Sequence, residues 1–281
     1  MDELMRFLWE RARHAEWFDG GADRFLGLPV LRGPSYGDEY APLESEGLFL
    51  KFAELDLDEG AFAGFAHRYG LLGLEEKIRP ASRRPRAGDA PTQGETFAAW
   101  VDSVLLMRTA TQLFHEGRRS HPDGSKALPE MRIVPGDEGL VELRFPDGRL
   151  GAHNVPLARQ ETLLVPASIP RSLAEKVQTQ RAVGAALRGL VNAYLGRYCS
   201  PRLVRDGGVQ IAILPEHLLG AMWLQLARVI DGNRDFKKCE REGCGEWFEI
   251  PLGGTKKRYC TDACKSRAFR IRKRQEIDDG R

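Results

Sequence analysis

The sequence predicts an α+β protein: a mainly helical N-terminal domain with a small antiparallel sheet, followed by a small cysteine-bearing module. Three observations lead to this prediction. Long segments repeat apolar residues at helical spacing, short apolar runs are separated by Pro-Gly-Asp and Pro-Asp-Gly turns, and four of the five cysteines lie near the C-terminus. With 281 residues, the chain is long enough for one large or two medium domains with a proper core.

Apolar periodicity predicts five helices in the N-terminal domain. Asp58 is the expected N-cap of the second and Gly70 its stop, because these residue types suit those two positions. The predicted helices cover residues 2–18, 59–69, 95–117, 170–197 and 215–230.

Turn residues divide the middle of the chain into short apolar runs. Met131–Val134, Leu140–Phe145 and Arg149–Val155 predict an antiparallel meander, and Gly207–Leu214 predicts a further strand. Asp231-Gly232-Asn233 marks the expected boundary between an N-terminal domain over residues 1–231 and a C-terminal module over residues 232–281.

Composition narrows the class of protein. The hydrophobic fraction of 42% and the charged fraction of 29% are ordinary for a globular protein. There is no run of 18 apolar residues and no basic start followed by an apolar block, so we expect neither a membrane span nor a signal peptide. Cysteines placed in close pairs suit a reducing cytoplasm, and Cys199, outside the pairs, is expected to be buried and inert.

The paired cysteines, Cys239 with Cys244 and Cys260 with Cys264, are spaced C-x4-C, fifteen residues, C-x3-C. Two close pairs that bracket a short hairpin are the arrangement of a tetrahedral Zn²⁺ site. An Fe–S cluster, a redox dithiol pair and inert thiols are the alternatives. Four protein thiolates leave no open position for water, so the pattern predicts a structural Zn²⁺ rather than a catalytic one.

Local sequence places each pair in a defined setting. Gly243 and Gly245 flank Cys244 and allow a tight turn there. Residues 246–250 and 256–259 predict the two strands of a hairpin around a turn at 251–255, with Trp247, Phe248 and Tyr259 covering the metal. Thr261 or Asp262 is the expected N-cap of a helix that carries Cys264 in its first turn.

The tight turn that carries Cys239 and Cys244 is a zinc knuckle. This knuckle, the hairpin and the helix, in this order, form a treble-clef arrangement. The last 45 residues or so resemble the CGNR-type zinc finger found at the C-terminus of uncharacterised bacterial proteins. The matching stretch runs from Tyr259 to Arg267 and retains the arginine, while Lys265 and Ser266 replace the Gly and Asn that give the family its name. This resemblance implies DNA binding by a stress-related regulator.

Charge is concentrated in the same module. Residues 256–274 hold nine basic side chains and one acidic one, a net charge of +8, whereas the whole chain carries +2 and the remainder therefore −6. Such polarisation indicates a polyanion-binding surface. The alternative is that these cations compensate the metal site, which carries a formal charge of about −2 with four thiolates. The candidate nucleic-acid contacts are Lys256, Lys257, Arg258, Lys265, Arg267, Arg270, Arg272 and Arg274.

Two functions follow from these patterns. The first is a cytoplasmic, zinc-dependent transcription regulator that binds DNA, with RNA left open and with an N-terminal domain that senses a ligand, forms a homodimer, or both. The second is a structural zinc module for protein–protein interaction without nucleic-acid binding. An enzyme is not expected, because the chain has no G-x-x-x-x-G-K-[ST], H-E-x-x-H or G-x-S-x-G motif, although an active site assembled from distant positions leaves no such motif.

Overall fold

The computed structural model describes residues 7–12, 15–18, 30–32, 38–74, 94–118, 132–135, 140–144, 162–166, 180–205, 209–232, 234–250 and 257–279. Within these ranges the fold is α+β as predicted, with helices in the body of the molecule, small antiparallel sheets around them and a cysteine cluster near the C-terminus. No helix in the described ranges is both long enough and apolar enough to cross a membrane.

Six α-helices and one 3₁₀ turn, Pro42–Glu44, are described. The helices are α1 (Leu48–Ala53), α2 (Glu59–Tyr69), α3 (Phe97–Arg118), α4 (Gln180–Tyr198), α5 (Leu218–Asp231) and α6 (Asp262–Asp279).

The strands form two- and three-stranded antiparallel sheets. Those before α4 are β1 (Trp9–Glu10), β2 (Glu16–Phe18), β3 (Val30–Arg32), β4 (Glu39–Tyr40), β5 (Glu95–Thr96), β6 (Arg132–Pro135), β7 (Leu140–Arg144) and β8 (Thr162–Pro166). Those after it are β9 (Cys199–Arg205), β10 (Val209–Pro215), β11 (Asp235–Lys238) and β12 (Trp247–Ile250). The sheet orders are β1-β4, β2-β3-β5, β6-β7-β8, β9-β10 and β11-β12.

The main core is an aromatic and aliphatic cluster between α1, α2, α3, α4 and α5. Trp100, Phe62 and Phe52 are fully buried, and the Phe62 and Trp100 rings stack with their centroids 5.3 Å apart. Burial of several large side chains in one cluster provides the main favourable free energy of folding.

The predicted ends of α2 are confirmed. The Asp58 carboxylate accepts a hydrogen bond from the Ala61 N–H at 2.8 Å, which satisfies one of the free donors at the helix start. Gly70 follows the last residue with φ +97°, a conformation that suits glycine. Cys199 is buried as predicted: its thiol donates to the Gly220 carbonyl at 3.5 Å, and burial raises its pKa to about 11.

The predicted helix over residues 2–18 is wrong where the structure describes it, because β1 and β2 lie there. Tertiary contacts of the two tryptophans outweigh the helical periodicity. The Trp9 indole donates to the Leu71 carbonyl at 3.0 Å, and the Trp17 indole donates to the Glu59 carbonyl at 2.7 Å. The Trp9 side chain is thereby fixed just beyond the C-terminal end of α2, and the Trp17 side chain is fixed at its N-terminal end.

Three predictions for the middle of the chain hold in part. β6 and β7 are two strands of the predicted meander, but the third strand is β8, and residues 149–155 lie outside the described ranges. The predicted strand over residues 207–214 is β10, which forms a hairpin with β9. The helix expected from Pro215 begins at Leu218 instead, after His217 as N-cap, because Pro215 still belongs to β10.

The β11–β12 hairpin of the C-terminal module packs on the helical core beside α1. Phe236 of β11 meets Phe49 edge to face with centroids 5.7 Å apart. Gly47, the N-cap of α1, lies so close to Trp247 that an added Cβ would come within 2.6 Å of the Trp247 Cβ. Gly47 also has φ +65°, so both its space and its backbone require glycine.

Ion pairs also hold the β11–β12 hairpin on the helical core. The Glu246 carboxylate accepts from Lys51 at 2.5 Å and from Arg68 at 3.1 Å, and Glu54 accepts from both Lys238 and the Trp247 indole. Burial of Glu246 favours its neutral form, but the neighbouring cations outweigh burial and lower its pKa. The hairpin is therefore held on the core by paired charges as well as by aromatic packing.

Replacement of Gly47 by alanine tests this docking. We expect Gly47→Ala to lower the free energy of unfolding by about 2 to 4 kcal/mol, because the methyl group collides with Trp247 and the left-handed backbone is strained. Urea denaturation of the full-length protein, followed by far-ultraviolet circular dichroism, measures the change.

Gly64→Ala is the matched control, since Gly64 lies in α2 with no atom within 4 Å of an added Cβ. It should be neutral or stabilise by up to about 1 kcal/mol. Equal stability of the two variants would contradict the packing of the hairpin on α1.

Candidate metal centre

The first cysteine pair sits in a knuckle between β11 and β12. Cys239 directly follows β11, and its N–H donates to the Glu246 carbonyl at 2.9 Å, which closes the loop. Gly243 and Gly245 have φ of +70° and +67°, so the chain turns tightly on both sides of Cys244 as predicted. The turn aims the Cys244 sulfur at the second pair.

The second pair lies at the start of α6. The Thr261 hydroxyl accepts a hydrogen bond from the Cys264 N–H at 3.2 Å, so Thr261, the first of the two predicted candidates, is the N-cap. Cys264 occupies the first turn of the helix and Cys260 lies just before it. The Cys260 N–H points at the Cys239 sulfur at 3.5 Å, so the two pairs are joined through backbone as well as through sulfur.

The four sulfurs form a compact cluster. The Cys244 sulfur lies 3.7 Å from those of Cys260 and Cys264, and the Cys260 and Cys264 sulfurs are 3.5 Å apart. All four lie within 4.8 Å of one another, and the thiols are free rather than joined in disulfides. A tetrahedron with metal–sulfur bonds of about 2.3 Å has edges of about 3.8 Å. The cluster can therefore hold one metal ion with little movement.

Electrostatics of the cluster favour a cation. Hydrogen bonds from Thr261 and Arg241 lower the pKa of Cys264 to about 6, whereas burial and hydrogen bonds with the other thiols raise the pKa of Cys260 to about 12. Four thiols at these distances cannot all ionise unless a positive charge lies among them.

Arg241 is a ligand-supporting residue that sequence reasoning missed. It lies inside the knuckle, and its Nε–H donates to the Cys264 sulfur at 3.2 Å. The hydrogen bond supplies positive charge directly at a thiolate, and outer contacts of this kind orient ligands and tune metal affinity. The only available sequence signal was an arginine between two cysteines of a close pair.

The predicted hairpin needs correction. Its first strand is present as β12, but the partner is β11, and residues 257–259 are not in a strand. The predicted turn at 251–255 and Lys256 lie outside the described ranges. β11, which directly precedes the first cysteine, pairs with β12 through backbone hydrogen bonds. The knuckle itself is therefore the hairpin loop.

The predicted cover over the metal is correct for two of the three aromatic residues. Phe248 is buried against Cys239 and Cys264, and Tyr259 packs at the edge of the same cluster. Trp247 instead faces the helical core, because adjacent residues of a strand point to opposite sides. β12 therefore covers the cysteine cluster with one face and docks on the core with the other.

The predicted nucleic-acid contacts fall into two groups. Four have partners within the module: Arg258 pairs with Glu240, Arg272 donates to the Tyr259 hydroxyl at 3.2 Å, Arg270 donates to the Ser266 carbonyl at 3.3 Å, and the Lys257 ammonium lies 4.9 Å from the centre of the Phe248 ring. The others that the structure describes, Lys265, Arg267 and Arg274, lie along α6 with exposed side chains.

No family model, curated protein or solved structure matches this chain.

Removal of the Arg241 guanidinium tests its support of the metal. We expect Arg241→Ala to weaken Zn²⁺ binding about tenfold or more, because a thiolate ligand loses its hydrogen bond and its nearest positive charge. Competition with a chromophoric chelator measures the affinity of the full chain.

Arg267→Ala is the control, because it removes the same charge from an exposed position on α6. An equal loss of affinity in both variants would show that overall charge, rather than the hydrogen bond to Cys264, supports the site.

Proposed function

We propose that the chain is a zinc-dependent nucleic-acid-binding protein that contacts its target, DNA in the first instance, through α6. The observation that carries the proposal is the exposure of this helix: among residues 262–274, only Cys264 and Ala268 are buried. Packing of an apolar face provides most of the stability of a helix in a protein. A basic helix with so little packing of its own suits a surface that meets a polyanion.

Zn²⁺ is the proposed ion. Four thiolates are a common ligand set for structural Zn²⁺, and sulfur separations of 3.5 to 3.7 Å suit a single central ion. A cluster of several irons would spread the four cysteines farther apart. Cys239, Cys244, Cys260 and Cys264 fill all four positions of a tetrahedral ion, so its role is to fold the module rather than to catalyse a reaction.

The net negative charge of an ion with four thiolates does not account for the cations of α6. The residue that donates to a thiolate is Arg241, from the knuckle. Within the described ranges, no carboxylate lies within ion-pair distance of Lys265, Arg267 or Arg270. Their charge thus remains available to phosphates, which attract Lys and Arg side chains strongly.

Docking of the module also leaves α6 available. The contact with the core uses β11, β12 and Glu246, and the acidic Glu246 meets the basic Lys51 and Arg68. A pair of the reverse polarity, Lys238 of β11 with Glu54 of the core, lies beside them, and none of these three ion pairs uses a cation of α6. The hairpin fixes the module in place, and α6 can then face a partner.

Transcription regulation is the cellular role that we propose. The hairpin with its knuckle loop, followed by a helix that carries the second cysteine pair, together with the similarity of Tyr259–Arg267 to CGNR-type fingers, supports a DNA-directed role for the module. The helical core would then position the finger and respond to a ligand or a second copy.

A structural module for protein–protein interaction is the second candidate. The paired charges at Glu246 and Glu54 favour it, because they show that the finger already makes one specific protein contact. In that function the exposed cations of α6 would meet an acidic protein surface instead of phosphates.

Salt dependence of binding separates the two functions. Fluorescence anisotropy of labelled random duplex DNA with the zinc-loaded full chain should show affinity that falls steeply with salt. The triple variant Arg267→Ala, Arg270→Ala, Arg274→Ala should reduce the slope of log K against log salt by about 2 to 3, one phosphate contact for each arginine.

The matched control removes three exposed arginines from α4 and β9: Arg188→Ala, Arg197→Ala and Arg202→Ala. It should retain the slope of the parent protein. No binding to nucleic acid by the parent protein at low salt would overturn the proposal and favour the interaction module. An equal reduction of the salt slope in both triple variants would show that α6 is not the contact surface.

A further inference from the structure

Phe269 is the most exposed described apolar residue of α6, with 60% of its surface accessible. It lies on the side of the helix away from Cys264, which belongs to the cysteine cluster. Single exposed apolar residues are common on protein surfaces. The meaning of this one therefore depends on its neighbours.

The neighbours of Phe269 form an open cleft of about 540 Å³ along the outer side of α6. Tyr259 contributes a second aromatic ring, and Lys265, Arg270 and Arg272 contribute three cations. Asp262, at the start of the helix, is the one acidic residue of its lining. Two rings and three cations thus line one concave surface.

Tyr259 is held in place by the metal-binding part of the module. It directly precedes Cys260 and packs against the cysteine cluster, and its hydroxyl accepts a hydrogen bond from Arg272 at 3.2 Å. One wall of the cleft is therefore fixed by the same fold that places the four sulfurs. Phe269 forms the other wall from the second and third turns of α6.

Aromatic rings among cations match the chemistry of a nucleotide with an accessible base. A base offers a flat face for stacking, and its phosphates offer negative charge to Lys and Arg. Within a duplex, the base faces are covered by their neighbours, so stacking on a side chain requires an unpaired base. An acidic peptide would match the cations but has no flat base to stack on the rings.

We propose that the cleft between Tyr259 and Phe269 binds an unpaired nucleotide, with the base stacked on Phe269 and its phosphates near Lys265, Arg270 and Arg272. The proposal rests on the proposed function, since it specifies which form of nucleic acid the same helix takes. Single-stranded segments are then the preferred ligand over intact duplex.

The experiment compares labelled oligothymidine with a duplex of the same length. Anisotropy of the zinc-loaded full chain should show tighter binding of the single strand. Phe269→Ala should weaken single-strand binding about tenfold and leave the salt slope unchanged, because no cation is lost. Phe269→Tyr should bind like the parent protein, since a ring remains available for stacking.

Leu203→Ala is the matched control, because Leu203 is an exposed apolar residue on β9, with 74% of its surface accessible. It should bind both probes like the parent protein. Circular dichroism of each variant checks that the fold is retained, which is expected for such exposed positions.

The outcomes separate the two proposals. Absence of binding to either probe would overturn the proposed function and this inference together. Binding to both probes with no effect of Phe269→Ala, or an equal loss on both, would overturn the inference alone. Competition by polyglutamate as effective as that by oligothymidine would also overturn it, because the cleft would then recognise negative charge without a base.

Discussion

The meeting of four sulfur atoms within 4.8 Å is the constraint on which the C-terminal module depends. It joins the knuckle after β11 to the first turn of α6, two segments that are otherwise linked by few buried side chains. The apolar cluster around it is small, with Phe248 and Ile250 as its main buried side chains beside the cysteines. A core of this size stabilises little on its own, so an ion held by four thiolates would supply much of the folding free energy of the module.

The module divides its surfaces between three tasks. One face of β12 covers the cysteine cluster, while Trp247 and Glu246 dock on α1 and α2. α6 extends from the cluster with its cations exposed. Arg241 donates a hydrogen bond to the Cys264 sulfur, and the ion pairs that hold the hairpin use Lys51, Arg68 and Lys238. Among the described side chains, Lys265, Arg267 and Arg270 of α6 have no acidic partner, and this is the basis for proposing that they meet a polyanion.

Local signals in the sequence predicted the cysteine cluster well, and long-range contacts explain the errors. Cysteine spacing, the two glycines around Cys244 and the Thr261 cap are local features, and each occurs as expected. The strand partner of β12 and the orientation of Trp247 depend on which face meets the helical core, and no local pattern encodes that. The helix predicted over residues 2–18 is wrong for the same reason, since Trp9 and Trp17 are fixed by carbonyl groups near the two ends of α2. Phe269 was missed because the cleft around it combines residues from α6 with Tyr259 before it.

X-ray absorption at the zinc edge, on the zinc-loaded full chain, tests the central claim most directly. The account predicts four sulfur neighbours at about 2.3 Å and no nitrogen or oxygen ligand. The variant Cys244→Ser should reduce the sulfur count. The variant Cys199→Ser should leave the spectrum unchanged, because that thiol is buried against Gly220. A spectrum with two or fewer sulfurs, or with a water ligand, would contradict a closed structural site and with it the fold-supporting role of the ion.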